Sequence, residues 1–513
     1  MKNVTRLALA IAFTIIATIS FAQIGFKGCI VAEGNNFGAP GNLVKMAHYY
    51  PIEKKYVYFD SLPGDFTNEV YCDGPYTYIH VGNADATKDS FYRYDSRCHT
   101  RLNAAPVMGL QKIKGNASKL VVSKGFGADS NYIEIFDKIS LVKLATITQV
   151  DQMCNGIAMN GNTAYIAVNG SWPTYTDSGT VAVIDLNTNS FVKYIKLDTN
   201  ARVVNKVYTR GNLLWCECDF DKIVEYNLTT DSFVIYPLGH IQGTASLDGD
   251  FISYSTYSSA LAWNVVTHTT LLVDGFYGNI SDFRVNPFNY AQRFVVYNDY
   301  VNSLGTFENS IPLTAPLDSF VIGLASVLDV YMDSNTAPVA NNYTVRLVGD
   351  QDTTFTVLVT DMDACDRLVY SISNGPHRIG ASATIDASGL FHYTPALGLI
   401  ADDTVQVNIA DIAGYTTTST IYIHVYDPLL VNDAKSISFD MYPNPASDQL
   451  HIQMDASQKY SLEIIDMLGN TLMNSILTNN DNRIDISKFQ TGMYLLKLKD
   501  AQGHVATKKL FKN

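Results

Sequence analysis

Charge is scarce in this chain, and helical sequence is nearly missing. Only 17% of its 513 residues are charged, while 47% are hydrophobic. A disordered chain shows the opposite balance, so this one folds. Basic residues number 36 against 49 acidic ones, a formal charge of −13. That sign argues against a nucleic-acid partner bound by phosphate neutralisation. Runs rich in Ala, Glu, Lys and Leu are almost absent. Beyond residue 22, no apolar run reaches the ~20 residues that span a bilayer. Trp occurs 3 times and Cys 7 times. An odd number of Cys at irregular spacing gives no disulfide framework. Buried free thiols are the reading, with a Cys72–Cys98 bridge the alternative. Cys216 and Cys218, two apart in a strand, point to one face; no nearby His pair completes a metal set.

What is present points to β structure. Tyr (32) and Phe (24) are abundant, and with Thr, Val and Ile they favour strands. At ~100–200 residues per domain the length suggests about three. Lys2 and Arg6 precede an apolar run, Leu7–Ile19, that ends at Ser20-Phe21-Ala22. This reads as a signal peptide over residues 1–22, cut after Ala22; a membrane anchor is the alternative. Removal of Lys2 and Arg6 takes the formal charge from −13 to −15.

Residues 23–336 repeat at about 45 residues. One copy runs from Asn155 to Gly161, then Thr163–Val168, Thr180–Leu186 and Phe191–Leu197; the next runs from Asn205 to Gly211, then Leu213–Cys218, Lys222–Leu228 and Phe233–Leu238. Four short strands per repeat predict a β-propeller of about seven blades, with six or eight open, since the two ends of the chain combine into one blade in some propellers. A sandwich or solenoid is the competing architecture. The run Thr180-Val-Ala-Val-Ile-Asp-Leu-Asn-Thr resembles the core of YncE-like and surface-layer-type propellers. The opening from Glu33 to Asn42 is similar to that of secreted Bacteroidetes propellers of unknown function.

Asn335-Thr-Ala-Pro338 reads as a linker. Residues 337–428 then alternate as an Ig-like β-sandwich. The segments around Asp361-Met-Asp363 and from Gly389 to Pro395 resemble Ig-like or cadherin-like adhesin repeats. Residues 338–427 hold 3 basic and 10 acidic side chains. Asp361, Asp363 and Asp366, with Asp411, are candidate ligands for Ca2+, a hard cation that takes oxygen donors; turn-forming and surface roles are the alternative. After a linker at 429–436, residues 437–513 form a third unit, a small β-sandwich. Tyr442-Pro-Asn-Pro-Ala-Ser-Asp448, Asp466-Met-Leu-Gly469, Gly492-Met-Tyr-Leu-Leu-Lys-Leu498 and Lys508-Lys-Leu-Phe-Lys-Asn513 resemble the type A C-terminal sorting domain of the type IX secretion system. That resemblance implies passage through the periplasm, engagement of the secretion machinery, and release or attachment to surface lipopolysaccharide.

Motifs for chemistry are missing. There is no G-x-S-x-G elbow, P-loop or G-x-G-x-x-G opening a helix, and no HxH or HExxH, so no catalytic residue is assigned. His48, His80, His99, His240 and His268 fall in different repeats and read as turn or strand-surface residues. Asn68, Asn155 and Asn205 each stand six residues before a repeat Gly, with Gln242 and Asp282 near equivalent sites. If these runs are innermost strands, the five side chains ring a channel mouth and bind a polar ligand; otherwise they bridge blades. Ser171-Trp172-Pro173, in the insertion Asn169–Gly179, is either a binding rim or a packed lid. A secreted cell-surface protein that binds a glycan or protein ligand fits these features. An exported lactonase- or lyase-like enzyme acting at the channel is the alternative, and a structural surface-layer component a third reading.

Overall fold

The computed structural model describes residues 23–34, 41–129, 132–170, 179–241, 246–256, 259–274, 279–298, 303–307, 318–323, 326–363, 365–398, 400–426, 437–454, 459–501 and 503–513. The signal peptide, the 429–436 linker, Gln242, the Ser171-Trp172-Pro173 segment and most of the Glu33–Asn42 motif lie outside the described residues.

Seven four-stranded antiparallel sheets follow one another through residues 23–335. Their innermost strands are Val327–Asn335 (blade 1), Val70–Asp73 (blade 2), Leu110–Gly115 (blade 3), Cys154–Asn160 (blade 4), Val204–Arg210 (blade 5), Ser246–Asp248 (blade 6) and Asn279–Asn286 (blade 7). Blade 1 joins the two ends of the ring. Its inner strand pairs with Gln23–Glu33, which leads outward to Leu43–Tyr50 and Lys55–Pro63. Residues 23–335 are therefore a seven-bladed propeller.

The same turn links the third and fourth strands in blades 2 to 6. Asp95, Asp137, Asp185, Asn227 and Asn264 each accept a backbone N–H two residues on. Such an Asx turn is what short polar side chains favour. Four residues past each, His99, Leu141, Asn189, Asp231 and His268 take φ of 53–58°. In blades 4 and 5 the turn is made by the polar runs Asn187-Thr188-Asn189 and Thr229-Thr230-Asp231.

Blades bury one another's faces. Between blades 4 and 5, Tyr165, Ala167, Val181 and Val183 meet Val204, Leu214, Cys216 and Cys218. Both thiols lie on one face, as their spacing requires, and both are fully buried. Burial of a side chain of this size contributes about 1.5–3 kcal/mol, so each interface is a substantial part of a domain's stability. Gly156 allows a close approach: a Cβ there would stand 2.6 Å from the Lys206 Cα of blade 5.

Residues 339–426 form the sandwich. One sheet holds Tyr343–Val348, Thr416–Tyr426, Asp402–Ala410 and Val369–Asn374; the other holds Thr353–Thr356, Leu390–Thr394 and Ser382–Ile385. Phe391, Val405, Val407, Ile409 and Ile421 fill it. Sandwich and propeller make one compact unit. Cys98, in the Asx turn of blade 2, is bonded to Cys365 of the sandwich. This corrects the Cys72–Cys98 alternative. Cys72 is a free thiol, and the true partner lies 267 residues on, a distance that only docking of the two domains closes. Arg367 clasps Glu53 through two bonds of 2.6 and 2.9 Å, and Asn335 Nδ2 donates to Asp411 at 2.7 Å.

Residues 426–513 are a separate unit. Phe439–Tyr442, Gln449–Met454 and Asp481–Asp485 face a sheet of Thr471–Leu477, Tyr460–Asp466, Gly492–Lys499 and Val505–Lys512. Leu450, Ile452, Leu462, Ile464, Leu496, Leu498 and Leu510 fill the space between them.

Closing a loop of this length constrains the unfolded chain, an effect of typically about 2–4 kcal/mol. Cys98→Ser is expected to lower the melting temperature of the oxidised protein. A reductant should bring the wild type down to the variant's value and leave the variant unmoved, as followed by circular dichroism.

Candidate functional site

All seven innermost strands wall a cavity of about 370 Å3 on the propeller axis. Its charged lining is Glu69, Lys112, Lys114, Lys206, Arg284 and Asp329, with Tyr71, Tyr208, Thr209, Ser246, Ala158 and Met159 between them. Lys112 Nζ bonds Glu69 Oε2 at 2.6 Å and the Asn68 carbonyl at 2.7 Å. Arg284 holds Asp282 at 2.5 Å and Asp329 at 3.4 Å. Lys114 Nζ sits 4.5 Å from the centre of the Tyr71 ring, a cation–π contact. Lys206 pairs in register with Glu217 on the second strand of blade 5. Burial drives the Lys206 amine well below its usual value, with Glu217 opposing the fall. Burial raises the Glu217 carboxyl, whose Oε2 is buried without a hydrogen-bond partner.

Among the described lining residues, Asn68, Asn155 and Asn205, expected at the channel mouth, do not occur. Asn68 Nδ2 donates to the Leu110 carbonyl of blade 3 at 2.9 Å, which is the bridging role. Asn205 is buried with its Nδ2 unpartnered. Asn155 is half-buried, and its carbonyl accepts from Ser123 Oγ. Asp282 is buried and accepts the Leu328 N–H at 3.0 Å, fastening blade 7 to the closing strand. Burial alone would raise its carboxyl, but Arg284 and that N–H hold it below its ordinary value. The reason for the shift is a shared bulge. Inner strands of blades 3, 4, 5 and 7 each carry an irregularity, and in blade 5 it absorbs Asn205. An extra residue re-aims the alternation, so Gly156 and Lys206, one position later, line the cavity; Glu69 lines it in blade 2, where the strands pair without a register shift. Neither the charges nor the bulge has a signal in the repeat pattern.

A second group lies where propeller and sandwich meet. Asp361, Asp363 and Asp366 place carboxylate oxygens within 4.8 Å of one another. Asp411 is not in that set; it accepts from Asn335, Ala413 and Tyr415. Lys27, fully buried, points its ammonium to Asp366 at 2.9 Å and Asp363 at 3.9 Å. Lys27 is the extra residue of a bulge between Phe26 and Gly28. Gly28 makes the bulge possible: its φ is 120°, and a Cβ would stand 2.2 Å from the Tyr49 carbonyl. Burial pushes the Asp366 carboxyl up to about 6 even with Lys27 beside it.

The histidines also depart from expectation. His48 and His80 are buried, not surface residues. His48 Nδ1 lies 2.9 Å from His99 Nε2, and its Nε2 2.8 Å from the Lys27 carbonyl. Burial lowers both rings, His99 to about 4. The Asx turn of blade 2 brings His99 across to blade 1, a contact no spacing rule reveals.

Residues 335–424 match the bacterial Ig domain family, and residues 440–513 match the secretion system C-terminal sorting domain. No curated protein matches in sequence. Among solved structures, the chain is similar to a putative 6-phosphogluconolactonase from Bacteroides uniformis ATCC 8492, at 11% identity and TM-score 0.46, covering 59% of this chain and 99% of that one. It is also similar to BamB from Moraxella catarrhalis, at 12% identity and TM-score 0.38, covering 74% and 97%. The sorting domain means that the protein is exported by type IX secretion to the cell surface or outside.

Removing one partner of a buried ion pair costs about 3–5 kcal/mol, so Lys27→Ala should melt well below the wild type. Asp366 has a raised folded value, so its contribution to stability is present below the ordinary carboxylate range and lost as pH rises through about 6. Melting temperatures across that window should fall with rising pH, and fall more in Lys27→Ala. Millimolar calcium should restore part of the variant's loss and shift the wild type less.

Proposed function

We propose that this chain is a secreted, surface-associated binding protein. Its propeller takes a ligand in the axial cavity, its acidic sandwich acts as spacer, and its tail serves export. The single observation that carries the reading is the cavity itself. Inner strands of all seven blades wall it, and its volume lies in the range of small-molecule sites. The buried carboxylate oxygen of Glu217, adjacent to it, has no hydrogen-bond partner; a buried polar group normally has one. On this reading the partners are the secretion machinery and a glycan or protein ligand at the cell surface, with lipopolysaccharide as the anchor. Kinship with YncE-like and surface-layer-type propellers from Bacteroidetes belongs to the same proposal, as does cleavage after Ala22.

One observation favours a second reading, an exported propeller enzyme of lactonase or lyase type. Lys206 and Glu217 are an amine and a carboxyl displaced toward each other by burial, a pattern that acid–base sites share with structural ion pairs.

Two measurements test the proposal. Deletion of 440–513 is expected to hold the protein in the periplasm; normal secretion of that truncation overturns the export role of the tail. Glycan-array screening of the chain from Gln23 onward is expected to give binders that Lys206→Met loses. Turnover of lactones by the wild type, lost in Glu217→Gln, would favour the enzyme instead.

A further inference from the structure

We propose that the axial cavity binds a small organic anion of about monosaccharide size, its carboxylate or phosphate held by the ammonium groups of Lys206 and Lys114. The inference rests on the cavity being a ligand site and names the chemistry of what enters it.

The lining is opposite in character to the whole protein. The chain carries −13, yet six charged side chains line the cavity, four of them basic. Two of the four are spoken for. Lys112 is bonded to Glu69, and Arg284 to Asp282 and Asp329. Among the described residues, Lys114 and Lys206 have no carboxylate within the 4.0 Å of a salt bridge. Lys114 has only the Tyr71 ring. Lys206 has Glu217 as its cross-strand neighbour, with no ion-pair contact between them. Four basic and two acidic side chains leave the lining with a net formal charge of +2, a field that favours a bound anion. Gly156, Ile157, Ala158 and Met159 of blade 4 line the cavity between the lysines of blade 3 and blade 5, and the rest of the ligand lies against this stretch. Tyr71, Tyr208, Thr209 and Ser246 offer the polar and aromatic contacts a sugar-sized body uses.

Proton linkage gives a second signature. Five charged groups act on or beside Lys206: Glu217 on the second strand of blade 5, Lys112 on blade 3, and Asp282 and Arg284 on blade 7, with Asp329 on the closing strand. Burial depresses the Lys206 amine, so part of the free protein lacks that positive charge at neutral pH. An anion favours the charged amine, so binding takes up a proton and weakens as pH rises.

Isothermal titration of the chain from Gln23 to Asn513 tests the inference with three probes: galacturonate, galactose and inorganic phosphate. A hydrogen bond to a charged group is worth about 1.5–3 kcal/mol, or roughly ten- to a hundredfold in affinity. Galacturonate should bind at least about tenfold tighter than galactose, and Lys206→Met and Lys114→Met should each weaken it by about that factor. Binding should also weaken between about pH 6 and about pH 8, with proton uptake visible in buffers of different ionisation heat. Phosphate alone binding as tightly as galacturonate assigns the charge to a phosphate source, and galacturonate alone to a uronic acid. Galactose binding as tightly as galacturonate overturns the inference and leaves the cavity a ligand site for neutral sugars. Anion binding unchanged in both variants overturns it too, by placing the anion elsewhere. Absence of binding by either anion at millimolar concentration overturns it as well. Wild-type salt and pH dependence decides the matter if either variant fails to fold.

Discussion

One strand pairing holds the ring. Val327–Asn335 runs antiparallel to Gln23–Glu33, matching Cys29 to Val330 and Val31 to Leu328. Every other blade is a local run of four strands, but this one requires the first and last parts of a sequence 300 residues long to meet. Without it, the first and seventh blades would each expose an apolar face. Phe26, Cys29, Val31 and Tyr49 of blade 1 pack on Phe294, Val296 and Leu304 of blade 7 only once the ring is shut. The axial cavity exists for the same reason, since Asp329 and Val330 of the closing strand are part of its wall.

The closing strand also sets the junction with the sandwich. It ends at Asn335, whose side chain reaches Asp411, and the next backbone N–H, of Thr336, donates to Asp363. Its partner strand supplies Lys27 through a bulge. The acidic sandwich is therefore neutralised at one point by a propeller residue buried in its carboxylates. Electrostatics and topology serve the same joint.

Much of the architecture was legible because a propeller repeats. Periodicity and the strand alternation that puts Cys216 and Cys218 on one face are local properties, and local properties survive in sequence. The second unit and the tail were legible through their own strand patterns. What escaped was everything made by contacts between repeats. Cys98 and Cys365, His48 and His99, and Lys27 and Asp366 are each brought together by a turn or a docking event whose partner lies far along the chain. The cavity lining escaped for a subtler reason. A strand pattern predicts which side chains alternate, but a single bulge moves the set by one, and Asn155 and Asn205, read as channel groups, became neighbours of the Gly156 and Lys206 that line it.

The sulfur bridge has a further consequence for a protein that lives outside the cell. It spans 267 residues, which takes in most of the ring. A protease that nicks any exposed connection between those two cysteines cuts the polypeptide without parting it. The two pieces stay joined by the bridge and by the interleaved strands of the first blade. Such a molecule would run as one band on a non-reducing gel and as fragments after reduction, while its axial cavity kept its walls.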